Sequence, residues 1–187
     1  MRVHTGRLVL VPISPDHPPD PARLLGTLRT NGFIGAPLPG LEQAYLVGER
    51  FLSLITFAGC SVRIELTPPE DGSPFCHITL DGPHRTPRLL SGRNTRPPRC
   101  PTCKAPYKDW RTHIDEWSFG MPPRLVCVQC GANADLGSWN WRENAGVGRL
   151  FLRVEEVFPG EAVPTPALMG LLEAASGTGW RHFYVQD

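Results

Sequence analysis

Two Cys-x-x-Cys pairs, Cys100-Pro-Thr-Cys103 and Cys127-Val-Gln-Cys130, constrain this chain more than any other feature. Each pair puts two thiols on one tight turn, and 23 residues lie between the pairs. Four thiolates aimed at one point form a tetrahedral shell that suits Zn2+, and iron fits the same cage. The other readings are redox dithiols, two disulfides or free cysteines. Paired spacing in a chain of only six cysteines favours metal in a reducing compartment. Four protein sulfurs leave no position for water, so the expectation is one structural Zn2+. Such an ion would contribute on the order of 10 kcal/mol to a segment short of aliphatic residues.

Residues 98–133 resemble a zinc ribbon of the rubredoxin-knuckle type; the rest of the chain resembles no family. The resemblance implies Cys100, Cys103, Cys127 and Cys130 as the ligands. Gly131 matches the glycine that usually follows a knuckle, whereas Lys104 stands at the same point of the first one. A lysine there would offset thiolate charge. With four thiolates and a divalent ion the centre is net negative, so Arg99, Lys104 and Lys108 suit its surroundings. Ribbons of this type in transcription and translation proteins often bind nucleic acid, which the resemblance makes an expectation here.

The net charge of +1 conceals an asymmetry. From Arg85 to Arg111 eight Lys or Arg face Asp109 alone, a window of +7 that leaves −6 for the remainder. Within it Arg93, Arg96 and Arg99 are spaced by three around Pro97-Pro98. A polyproline II segment has three residues per turn, so the guanidiniums would line one edge of a semi-rigid arm. Trp110, Trp117, Trp139, Trp141 and Phe119 fall with these arginines inside residues 83–147. Cations interleaved with rings suit single-stranded nucleic acid, charge for the backbone and rings for the bases. The candidate partner-binding residues are therefore Arg93, Arg96, Arg99, Lys104, Lys108, Arg111, Trp110 and Trp117. Against this, tryptophans often pack a small metal module from inside. The arginines could also pair with Glu155, Glu156 and Glu161 of the same chain.

Outside this region the chain reads as a folded body. Arg7–Ile13 is a short apolar run typical of a buried strand. Asp20 is placed to cap a helix with Pro21 at its first position, Asn31-Gly32 to end it, and Leu24, Leu25 and Leu28 share one face. Residues 33–48 read as loop, and Arg50–Phe57, Cys60–Leu66 and Phe75–Leu80 as strands. The opening pattern returns near the end. Arg149–Val157 is strand-like, and Thr165-Pro166-Ala167 starts a helix with Leu168, Leu171, Leu172 and Ala175 on its apolar face. Gly177 stops that helix, and Arg181–Gln186 closes the chain as a strand. Two strand–helix–strand units predict an α+β, ferredoxin-like two-layer sandwich. Residues 1–82 and 148–187 would form the body, and 83–147 an inserted basic arm plus zinc ribbon.

Catalysis finds little support. Cys76 and His77 are neighbours on a strand and point to opposite faces, as do Glu155 and Glu156. Gly146-Val-Gly148 is too short for a phosphate-binding loop. Cys60 and Cys76 read as small core hydrophobes, and His113 as at most a neighbour of the metal ligands. No targeting segment or membrane span is visible, and no small-molecule substrate is evident, so the expectation is a cytoplasmic, non-catalytic protein. Its zinc-stapled insert would dock nucleic acid or a nucleoprotein. The alternative is a protein–protein adaptor or inhibitor, antitoxin-like or immunity-like, that binds an acidic partner protein.

Overall fold

The computed structural model describes residues 6–15, 17–58, 64–113 and 124–186. The chain is mixed α/β, mostly antiparallel sheet with few helices. Six strands form the main sheet: β1 (Arg7–Pro12), β2 (Ile34–Pro37), β3 (Ala44–Val47), β5 (Ile78–Asp81), β10 (Phe151–Glu155) and β12 (Trp180–Val185). Their order is β12-β1-β10-β5-β3-β2, and every neighbouring pair is antiparallel. A smaller ribbon pairs β4 (Ile55–Phe57) with β11 (Ala162–Pro164).

Two helices cover one face of the main sheet. Helix α1 (Pro21–Thr30) starts where Asp20 accepts a hydrogen bond from the Ala22 amide, and Asn31 closes its last turn. Helix α3 (Pro166–Ser176) starts where Thr165 Oγ1 accepts from the Leu168 amide, and it ends at Gly177 in the left-handed conformation. Both caps sit where the sequence predicts them, each with proline at the first helical position. Leu24 and Leu28 of α1 and Leu168, Leu172 and Ala175 of α3 are buried against Leu8, Leu10, Ile78, Leu80, Leu152 and Val154 of the sheet. Strand alternation sends Val9, Val11, Phe151, Phe183 and Val185 to the opposite face, where they form a separate apolar cluster with Leu90.

Several expectations fail locally. Residues 33–48 are no simple loop, because β2 and β3 add a hairpin to the sheet edge. Arg50–Phe57 is not one strand: Phe51–Leu54 is a single helical turn, α2, which buries Phe51 and Leu54 before β4 begins. Of Cys60–Leu66, residues 64–66 are not in a strand, and Cys60 lies outside the described residues. The third of these candidates, Phe75–Leu80, starts late, at Ile78. Cys76 is in the helix-covered core, as a small hydrophobe should be.

Between β5 and β10 the chain leaves the main sheet and returns. There β6 (Arg88–Ser91) pairs with β9 (Ala145–Gly148), and β7 (Arg124–Val126) pairs with β8 (Asn133–Asp135). The β6–β9 ribbon lies on the sheet face that the helices leave open. Gly146 and Gly148 make this approach feasible. A Cβ on Gly146 would collide with the Phe183 ring, and one on Gly148 with Val11. The Gly-Val-Gly fragment is thus a packing device. Among the described residues no helix is long and apolar enough to cross a membrane.

Candidate metal centre

The four cysteines converge. Cys100, Cys103, Cys127 and Cys130 place their sulfurs within 4.8 Å of one another. Cys100 Sγ lies 3.8 Å from Cys130 Sγ, and Cys103 Sγ lies 3.6 Å from Cys127 Sγ. A tetrahedron with metal–sulfur bonds of ~2.3 Å has edges of about 3.8 Å, so the spacing fits a four-thiolate ion. All four are free thiols. Both of these contacts join one knuckle to the other. Cys100 and Cys127 are buried, and Cys103 and Cys130 are exposed.

The two knuckles share one backbone design. The Lys104 amide donates to the Cys100 carbonyl at 3.1 Å, and the Gly131 amide to the Cys127 carbonyl at 2.8 Å. The Cys100 amide donates to Ala105, and the Cys127 amide to Ala132. Lys104 at φ 64° and Gly131 at φ 72° both take the left-handed conformation that closes the turn. Lysine therefore occupies a position that favours glycine. Its ammonium folds back onto the Pro101 carbonyl at 2.6 Å, keeping a positive charge on the knuckle. The first knuckle is fixed by bridges from Arg99 to Pro106 and Asn140, the second by the β7–β8 hairpin.

The thiols are not equivalent. Burial opposes ionisation of Cys100 more than any other single effect. The Cys103 and Thr102 amides, with the Cys127 and Cys103 thiols, outweigh it and hold the thiol down to about 6. At Cys103 the Ala105 amide favours the thiolate, yet burial and the Cys130, Cys127 and Cys100 sulfurs push it up to about 12. One thiolate forms readily and makes its neighbours resist, which is how crowded sulfurs behave until a cation shares their charge.

Behind the knuckles is a core in which tryptophans pack from inside, the alternative to a partner-binding role. Cys100, Cys127, Trp110, Trp139, Trp141, Leu125 and Leu136 are buried together with Leu89 and Val147 of the β6–β9 ribbon. Trp110 and Trp141 meet edge to face at 5.8 Å, and Trp141 Nε1 donates to the Leu136 carbonyl. This corrects the partner-binding role expected of Trp110. It is 1% exposed, and the Arg111 guanidinium lies over its ring, 4.6 Å from the centroid. No base could stack there. Trp117 and Phe119 lie outside the described residues. His113 is half-buried beside Tyr107 and is not one of the clustered ligands.

The arginine segment is no free arm. The Arg93 amide donates to the Gln186 carbonyl, Asn94 Nδ2 to the Tyr184 carbonyl, and buried Thr95 Oγ1 to the Asn144 carbonyl. These bonds strap residues 92–95 to β12 and to the metal module. Arg99 differs from its companions, because its guanidinium donates to the Lys104 carbonyl. Arg93, Arg96, Lys104, Lys108 and Arg111 are exposed. Arg93, Arg96 and Lys108 form no ion pair among the described residues. Glu155 pairs with Arg7 and Arg153 and not with the arginine segment.

Cys76 is buried in the core, whereas His77 Nδ1 contacts the Phe75 carbonyl. Glu155 is held by Arg7, Arg153 and Thr79, and Glu156 follows it at φ 58°. No family model matches this chain, nor does any curated protein or any solved structure.

Proposed function

We propose that the protein is a non-catalytic, cytoplasmic binding protein in which one structural Zn2+ holds a basic rim against nucleic acid. In this reading residues 83–147 are a zinc ribbon with its flanking basic segment. They are inserted into a ferredoxin-like body made of 1–82 and 148–187. The strand order β12-β1-β10-β5, with helices after β1 and β10, supports that description of the body. Four cysteine ligands in a tetrahedral spacing support zinc.

One observation carries the nucleic-acid reading: exposed cations project from a segment whose backbone is tied to the rest of the fold. Arg93 and Arg96 flank buried Thr95, and Arg111 reaches the Thr95 carbonyl at 3.5 Å. Lys108 precedes Arg111 in the segment Lys108–His113, with a kink at Asp109 between them. Beside Arg93 an open groove of about 520 Å3 runs along Asn94, Asn140, Arg142, Glu143, Asn144 and Tyr184. With Trp110, Trp139 and Trp141 buried, contact would go to phosphates and would be indifferent to sequence. The test is oligonucleotide binding over a salt series. The logarithm of affinity should fall linearly with the logarithm of salt, and Arg93→Ala with Arg96→Ala should reduce the slope by about 2. Absence of binding at low salt rejects the reading.

A second reading, docking to a protein, is favoured by the second knuckle. Val128 is 91% exposed and Val126 55% exposed, an unusual pair of apolar side chains beside a metal centre. Binding through these valines would respond little to salt and would be lost in Val128→Asp.

A further inference from the structure

The open face of the main sheet carries a second group of ionisable side chains, distinct from the four clustered cysteines. Asp81 accepts from His84 Nε2 at 3.0 Å and pairs with Arg153 at 3.5 Å. Arg153 Nε lies 3.1 Å from Glu155 Oε1 and donates to Thr79, while Glu155 Oε2 reaches Arg7 at 3.3 Å. Each carboxylate here is matched by cations. Arg88, at the start of β6, is not matched. Its Nε is buried without a hydrogen-bond partner, and its guanidinium makes no hydrogen bond or ion pair with any described residue. It lines a cavity of about 170 Å3 together with Asp81, His84, Ser91 and Phe151.

A guanidinium N–H removed from water with nothing to bind is costly, and in half-buried Arg88 the Nε–H is in that position while the rest of the fork stays open to an incoming group. An oxyanion offsets that cost best, because the planar fork of arginine matches two oxygens of a phosphate or carboxylate at once. The cavity has room for several waters at roughly 30 Å3 each. It is smaller than the ~300–1,000 Å3 of pockets that enclose whole drug-sized ligands. Its size therefore suits one anionic group. Asp81 does not oppose this strongly, because its two oxygens are already engaged by His84 and Arg153.

We propose that this cavity is a binding site for a phosphate-sized oxyanion, with Arg88 as the principal donor and Ser91 and His84 on its wall. The site is separate from the basic rim and does not depend on it. Thermal melts of the full chain in inorganic phosphate, against chloride at equal ionic strength, provide the test. Phosphate at about 100 times its dissociation constant should raise Tm by roughly 5 °C. Arg88→Leu should abolish that shift and, without phosphate, melt no lower than the unsubstituted chain, because the group removed had no partner. Arg93→Ala, on the rim, should keep the full shift. Should Arg88→Leu fail to fold, Arg88→Lys replaces it. That variant keeps the charge, loses the fork and should show less than half the shift. The proposal is overturned by no shift at about 50 mM phosphate, a concentration that would reveal even weak binding. An undiminished shift without the Arg88 guanidinium, or a shift lost in Arg93→Ala, overturns it equally.

Discussion

The helix-covered core and the core behind the cysteines use different materials. The first is built from Leu8, Leu10, Leu24, Leu28, Leu152, Leu168 and their neighbours, on strands up to six residues long and helices of ten and eleven. The second has strands of three or four residues and is built around Trp110, Trp139 and Trp141. Short strands bury little backbone and few side chains, so each buried group must contribute more. Large rings do part of this, since each aromatic buries ~150–250 Å2. The four clustered thiols are placed to add an ion to this second core and not to the first. The difference teaches where a dependence on metal should be looked for.

Removing one ligand should break that comparison most severely. Cys127→Ser takes away a buried sulfur of the second knuckle. It should forfeit much of a metal-binding free energy that is on the order of 10 kcal/mol in small zinc modules. Amide hydrogen exchange should then rise across residues 88–148 and stay slow in α1 and α3. Uniform loss of protection in both regions would show that the body also depends on the ion. Chelation of the unsubstituted chain should give the same pattern.

The next test separates the regions without touching either core. Gly146→Ala places a methyl group into the Phe183 ring, where the β6–β9 ribbon meets the main sheet. Overpacking of this kind costs about 1–3 kcal/mol. Because the collision lies between the regions, the metal stoichiometry should remain one per chain while urea unfolding splits into two transitions. A single transition with an unchanged midpoint would show that the contact carries no coupling.

A smaller effect belongs to the body alone. Burial, aided by Glu155 and Glu156, pushes the Cys76 thiol up to about 12 from 9.0. A raised folded pKa gives stability that is complete below the unfolded value and is lost as pH climbs toward the folded one. The body should therefore weaken between about pH 9 and pH 12, by about 2 kcal/mol at pH 10.5 from this thiol. Cys76→Val has nothing to ionise. The difference in unfolding free energy between it and the unsubstituted chain should shift in its favour over that range. Equal slopes for the two proteins would deny Cys76 the role.

What the sequence discloses, and what it conceals, follows the range of the interactions. Asp20-Pro21, Thr165-Pro166 and Gly177 act within one turn, and both long helices lie where those residues predict. The Cys-x-x-Cys pairs are equally local, and they do converge. The β2–β3 hairpin is hidden because glycines and prolines punctuate it, and its partner is β5, more than thirty residues away. Strands β6 and β9 are concealed for the same reason. Arg88–Ser91 and Ala145–Gly148 are each four residues long, and they meet only because Gly146 and Gly148 let them lie on Phe183 and Val11. The burial of Trp110 is likewise set by Trp141, thirty-one positions later, and no local pattern announces it.

The finest comparison is between the knuckles themselves. Lys104 and Gly131 hold the same left-handed turn, at φ 64° and φ 72°. A side chain in that conformation costs roughly 1–2 kcal/mol, which glycine avoids while losing more chain entropy on folding. Lysine recovers part of its cost through the bond to the Pro101 carbonyl. Lys104→Gly should therefore stabilise the module by about 0.5 kcal/mol at most, and Gly131→Ala should destabilise it by about 1 kcal/mol. Competition with a chromophoric chelator can read both shifts as changes in metal affinity. If Lys104→Gly instead weakens metal binding, the ammonium matters to the thiolates as a charge, and the first knuckle has exchanged backbone ease for electrostatic support of its ion.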